Sequence, residues 1–127
     1  MKPIPLLISA ALCLTVSAPA SAHHSYAAFD RTKTITLKGA IESIEWTNPH
    51  IYIVLVARPA QGGAPARWTI EGNPPAAMER QGWKKGAAKP GDVITLVINP
   101  LRNGQVGGHY VSALLPGGLK AMQPEVR

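Results

Sequence analysis

From Thr34 onward polar and apolar residues alternate: Ile35, Leu37 and Ile41 fall on one side, Thr36, Lys38 and Glu42 on the other, with Gly39 in the apolar register. A period of two marks a half-buried strand. Beyond Ile41 the apolar parity slips by one, to Ile44 and Trp46 with Glu45 opposite, so a β-bulge is predicted near Glu42-Ser43. A strand bent at a glycine and a bulge can pair with two neighbours and close a small barrel. Thr47-Asn48-Pro49-His50 reads as a turn. The run Ile51 to Val56 is almost wholly apolar, which predicts a central strand covered on both faces. A third strand covers Arg67 to Glu71, with Trp68 and Ile70 on a shared face. Asn73 is placed to cap a helix of about two turns with Pro74 at its first position. Gly82 supplies a left-handed stop, and Trp83 is expected to fold back onto Met78. Val93 to Ile98 and His109 to Leu115 are the fourth and fifth strands.

Three strands, a short helix and two strands are the order of the five-stranded Greek-key barrel called the OB-fold. The expected fold class is therefore mainly β, a small five-stranded OB-like Greek-key barrel with one short helix between strands 3 and 4; another small barrel or roll is the alternative. Closure would bury the Trp46, Trp68 and Ile53 faces together. Gly and Pro, 12 residues each, fit tight turns and disfavour a helical bundle.

Ahead of this domain stands MKPIPLLISAALCLTVSAPASA, with Lys2, an apolar stretch from Ile4 to Val16 and small residues up to Ala22. It has the pattern of a secretory signal peptide, cut after Ala20 or Ala22, and its apolar stretch is shorter than the ~20 residues of a spanning helix. Leu12 before Cys13 argues against lipoprotein processing. The expected organisation is a cleaved signal peptide at 1–22, an N-terminal arm at 23–33, one β-barrel domain at 34–122 and a loose C-terminal tail at 123–127. The expected location is periplasmic or secreted, with no membrane insertion after processing. Loss of the leader removes the one Cys, so the domain is expected to fold in an oxidising compartment without disulfides.

The formal charge of +6 would fall to +5 with Lys2 gone. The basic residues are spread along the whole chain, which reads as solvated surface, so nucleic acid is not an expected partner. An envelope protein, an anionic envelope component or a small ligand remain as partners to consider.

Candidate chemistry concentrates in four histidines, His23, His24, His50 and His109. Cleavage after Ala22 would make His23 the first residue, its α-amine and imidazole gripping one metal as a bidentate brace. Cleavage after Ala20 would leave Ser21-Ala22-His23, whose amine, two amide nitrogens and imidazole form a square-planar site suited to Cu(II) or Ni(II). His50 and His109 stand at the heads of strands two and five, where each can meet the arm at a barrel rim. With Cys absent after processing and Met scarce, any metal would be nitrogen-bound, and copper is the expected cofactor if there is one. The bland alternative is a frayed terminus, a capped turn and a satisfied strand histidine. Asp30, Glu42, Glu45, Glu71 and Asp92 read as ordinary surface acids rather than paired catalytic carboxylates. No nucleophile elbow, phosphate loop or dinucleotide fingerprint is present, so no catalytic residue is assigned. Tyr52, Trp68 and Tyr110 are the candidate ligand face, which requires Tyr52, Trp68 or Tyr110 to be exposed beside Lys or Arg.

Taken as a string, His23-His24-Ser25-Tyr26-Ala27-Ala28-Phe29-Asp30, Trp46-Thr47-Asn48-Pro49-His50, Gly82-Trp83, Lys89-Pro90-Gly91-Asp92 and Asn99-Pro100-Leu101-Arg102-Asn103-Gly104 resemble the small exported bacterial proteins grouped as domain of unknown function 6152. The resemblance spans nearly all of residues 23 to 115. It implies a periplasmic or secreted protein of a Gram-negative bacterium, and marks His23, His24, Asn48, Pro49 and His50 as positions to test; His109 lies outside its motifs. The reading that follows is a non-enzymatic binding module of unknown detailed role that binds copper through its N-terminal histidines. A copper histidine-brace oxidase or oxygenase and an OB-type binder of oligosaccharide, oligonucleotide or an anionic envelope component are the alternatives.

Overall fold

A computed structural model describes residues 26–122. The expected signal peptide, His23, His24 and the expected C-terminal tail lie outside the described residues. Strands β1 (Ile35–Glu45), β2 (Tyr52–Pro59) and β3 (Ala66–Glu71) precede a short helix, α1 (Pro75–Arg80); β4 (Val93–Pro100), β5 (Gly107–Leu114), a 3-10 turn (Pro116–Gly118) and β6 (Lys120–Met122) follow. The sheet order is β3-β2-β1-β4-β5-β6, and a parallel pairing of β3 with β5 closes β1 to β5 into a barrel. This is the expected OB-like Greek-key barrel, with the helix between β3 and β4.

Closure depends on β1, which pairs antiparallel with both β2 and β4. Its register against β2 shifts between Ile41 and Ser43, so Glu42 is the extra residue of the expected bulge. A Cβ on Gly39 would fall onto the Val56 carbonyl oxygen and stand 2.6 Å from Ala57 Cα, so at this crossing only glycine lets the strands approach. Leu37, Ile41, Ile53, Leu55, Trp68, Ile70, Ile94, Leu96, Ile98 and Tyr110 point inward and form the core, with Trp46 packed partly buried against it.

Three expectations are corrected. β2 is not covered on both faces: Ile53, Leu55 and Ala57 are buried, but Tyr52 and Val56 are exposed, because a closed barrel buries only one side of each strand. Asn73 does not cap α1; Pro74 occupies the N-cap with no side-chain bond, while Asn73 Nδ2 donates to Gln81 Oε1 at 3.3 Å. Pro75 starts the helix without needing that cap, since its missing N–H is one of those the first turn leaves unpaired. Finally, the chain after Pro116 adds β6, antiparallel to β5.

The helix stop is as expected. Gly82 takes φ 103°, and Trp83 N donates to Met78 O at 3.0 Å while Gly82 N donates to Glu79 O at 3.1 Å, the paired bonds of a Schellman motif. Trp83 is thereby turned into the core, where its Nε1 donates to Tyr110 Oη at 3.1 Å; that hydroxyl donates onward to Ala121 O at 2.7 Å. This chain of bonds ties helix, barrel and β6 together.

Candidate functional site

Alternation places the histidine of β5 outside the barrel. Tyr110 is fully buried in the core, so its neighbour His109 faces the opposite side, where water would be expected. Yet His109 is only 6% exposed. The N-terminal arm covers it: the rings of Tyr26 and Phe29 each lie 5.3 Å from the His109 ring. Backbone bonds hold the arm there. Asp30 N donates to Pro100 O at 2.8 Å and Arg102 N to Ala28 O at 2.9 Å, with an antiparallel bridge between Phe29 and Leu101. Arg102 Nε adds a bond to Ala27 O and Asn99 Nδ2 one to Lys33 O. From Tyr26 onward the arm is therefore part of the folded body.

Two glycines let β5 enter this place. A Cβ on Gly107 would lie 3.1 Å from Thr69 O, and one on Gly108 would lie 2.5 Å from Asn99 O and 2.7 Å from Ile98 Cδ1. Without side chains there, β5 runs close between β3 and β4, and His109 sits directly opposite Glu71 on one side and Asn99 on the other.

Glu71 is also next to the second histidine. The Asn48-Pro49 peptide is cis, and His50 follows it half-buried. Its Nδ1 lies 3.2 Å from Gly72 O and 3.7 Å from Glu71 Oε1. A donor at Nδ1 leaves Nε2 of the neutral ring with a free lone pair, the arrangement in which imidazoles bind metals. Glu71, read from sequence as a surface acid, thus stands beside both imidazoles. The signal for this is the β3–β5 parallel pairing, a long-range contact with no local pattern.

Burial pushes the His109 imidazole below its ordinary range, because the charged ring would lose its hydration; Glu71 opposes that shift and His50 adds to it. Burial thus favours the neutral ring. Its Nε2 is buried without a hydrogen-bond partner, one of two such atoms among the described residues, the other being Trp68 Nε1. Buried polar atoms are rarely left unpaired, which sets this nitrogen apart. His109 also lines a cavity of about 250 Å³ between arm and barrel, bounded besides by Tyr26, Phe29, Arg31, Asn73 and Asn99.

Of the three candidate ligand-face residues the structure exposes Tyr52 and buries the other two. Trp68 and Tyr110 are 8% and 0% exposed, inside the barrel, while Tyr52 stands on its outer side at 36%. Trp68 and Tyr110 occupy the inward register and Tyr52 the outward one, so the three share no face. The metal-ligand set is divided by the structure. Among the described residues no group of three or more His, Cys, Asp or Glu is placed to hold a metal ion. His23 and His24 lie outside the described residues.

The model of the family of unknown function DUF6152 matches residues 11–110. The chain belongs to the DUF6152 family. The match takes in the arm, the cis-proline turn and, at its end, His109 of this DUF6152 protein. No curated protein and no solved structure matches the chain.

Proposed function

We propose that this DUF6152 protein is an exported, non-enzymatic binding module that holds one Cu(II) ion between its N-terminal histidines and the barrel. The observation that carries this reading is the packing of Tyr26 on His109 at 5.3 Å. His24 and His23 precede Tyr26 by two and three residues, and an extended chain covers at most about 3.6 Å per residue. That length of chain is enough for both histidines to span the distance to the barrel beside His109. A bidentate grip by the amine and imidazole of His23, joined by His24 and by His109 from the barrel, is a nitrogen donor set suited to Cu(II). His50, oriented through Nδ1 by Gly72 O, is a reserve donor.

Isothermal titration of metal-free protein with Cu(II) tests the reading. One ion per chain at pH 7, released on acidification as protons compete for imidazole, is the expected result. Unchanged binding in the double variant His23→Ala, His24→Ala, or no binding by protein that begins at His23, overturns it.

A further inference from the structure

The cavity under the arm has walls of a kind that the copper reading does not use. Tyr26 and Phe29 supply aromatic faces, and Asn73 and Asn99 supply amides. Among the described residues that line it, Arg31 is the only Lys, Arg, Asp or Glu. Its guanidinium lies 6.0 Å from the centre of the Tyr26 ring, as expected for a cation resting on an aromatic face. Among the described residues Arg31 has no carboxylate partner: the adjacent Asp30 accepts from Thr32 N and Oγ1 and pairs with Lys33 at 3.4 Å. An arginine held over a ring but unpaired keeps its donors free for a planar anion. The His109 ring, whose Nε2 is buried without a partner, lines the same cavity.

We infer that this cavity binds a small organic monocarboxylate, with the carboxylate on Arg31 and an apolar or aromatic body between Tyr26, Phe29 and the His109 ring. Size sets the scale. A volume of about 250 Å³ exceeds the ~150 Å³ apolar cavity that admits benzene, so a ring carrying one carboxylate fits. Charge sets the valence. Glu71 does not line this cavity but stands opposite His109 on the neighbouring strand, and its negative charge disfavours a second carboxylate near the imidazole. The inference rests on the cavity and not on copper, and holds for metal-free protein.

The test is a titration of protein stripped with chelator, followed by amide and side-chain NMR, with benzoate as probe and benzamide as its neutral isostere. Benzoate is expected to shift Phe29, Arg31 and His109 signals together and to bind at least tenfold more tightly than benzamide. Arg31→Gln, an exposed position whose loss leaves the core intact, should remove that difference while the thermal midpoint stays unchanged; His109→Gln should weaken both probes. Equal binding of benzoate and benzamide overturns the proposal. So does tighter binding of inorganic phosphate than of benzoate, or benzoate-induced shifts confined to residues outside the cavity. Repeating the titration on the double variant His23→Ala, His24→Ala separates the two readings, since benzoate affinity should be unchanged where copper binding is lost.

Discussion

The ring of Tyr26 lies 5.3 Å from that of His109, and through this contact the start of the described chain seals a histidine that strand alternation would otherwise leave in water. One imidazole is thereby dehydrated, left without a partner at Nε2, and set beside a cavity and a carboxylate. The contacts are local in space and remote in sequence.

Burial of His109 makes stability depend on pH. Its folded pKa is depressed, so below the unfolded value of about 6.5 the unfolded chain takes up the proton first. The contribution is complete above pH 6.5 and is lost as pH falls toward the folded pKa. Urea unfolding of metal-free protein at pH 7.5 and 5 should show a falling midpoint, and His109→Gln should flatten that fall. An equal fall in the variant would assign the effect to other groups.

Tyr110 works in the opposite range. Its phenol is pushed up to about 12 by burial, against an ordinary value of 10.0. Stability drawn from the neutral phenol is complete below pH 10 and lost as pH rises toward 12. Tyr110→Phe leaves Trp83 Nε1 and Ala121 O without their buried partner, and the expected cost is about 1–3 kcal/mol by urea titration. The variant should also lose the most alkaline step in the phenolate absorbance titration.

The strand crossing at Gly39 tolerates no side chain. Gly39→Ala places a methyl on the Val56 carbonyl, and a cost on the order of 3 kcal/mol is expected in denaturant unfolding. Gly62→Ala, at φ +105° in open space, should cost on the order of 1 kcal/mol, from backbone strain alone.

Arg67 and Glu42 form a bidentate pair, with bonds of 2.7 to 3.0 Å, at the β1 bulge. Arg67 holds the Glu42 carboxyl below the usual range, so any contribution is present at neutral pH and is lost as pH falls through the folded value. Both groups are exposed and screened by water and salt. Glu42→Gln should therefore shift the urea midpoint far less than Tyr110→Phe does, and less again in high salt.

Much of the barrel is legible in sequence because its determinants are local. The parity slip after Ile41 marks the bulge at Glu42, Gly39 marks a close crossing, and Gly82-Trp83 marks the helix stop. The run from Ile51 to Val56 misleads, since valines on the outer side of β2 look the same as core residues in a list. β6 is three residues long and is defined by pairing rather than pattern. The site was half visible. Four histidines stand out by type, but Glu71, Asn99 and Arg31 join His109 only through the β3–β5 pairing and the docking of the arm, which no spacing encodes.

The most direct measurement is electron paramagnetic resonance of the copper-loaded protein recovered from its native compartment, with intact mass on the same sample. Wild-type protein beginning at His23 should carry one Cu(II) in a nitrogen-rich, tetragonal site, and His109→Gln should change the nitrogen hyperfine pattern. A spectrum identical in wild type and variant, or a native chain that retains its leader and takes up no copper, would contradict a metal shared between arm and barrel.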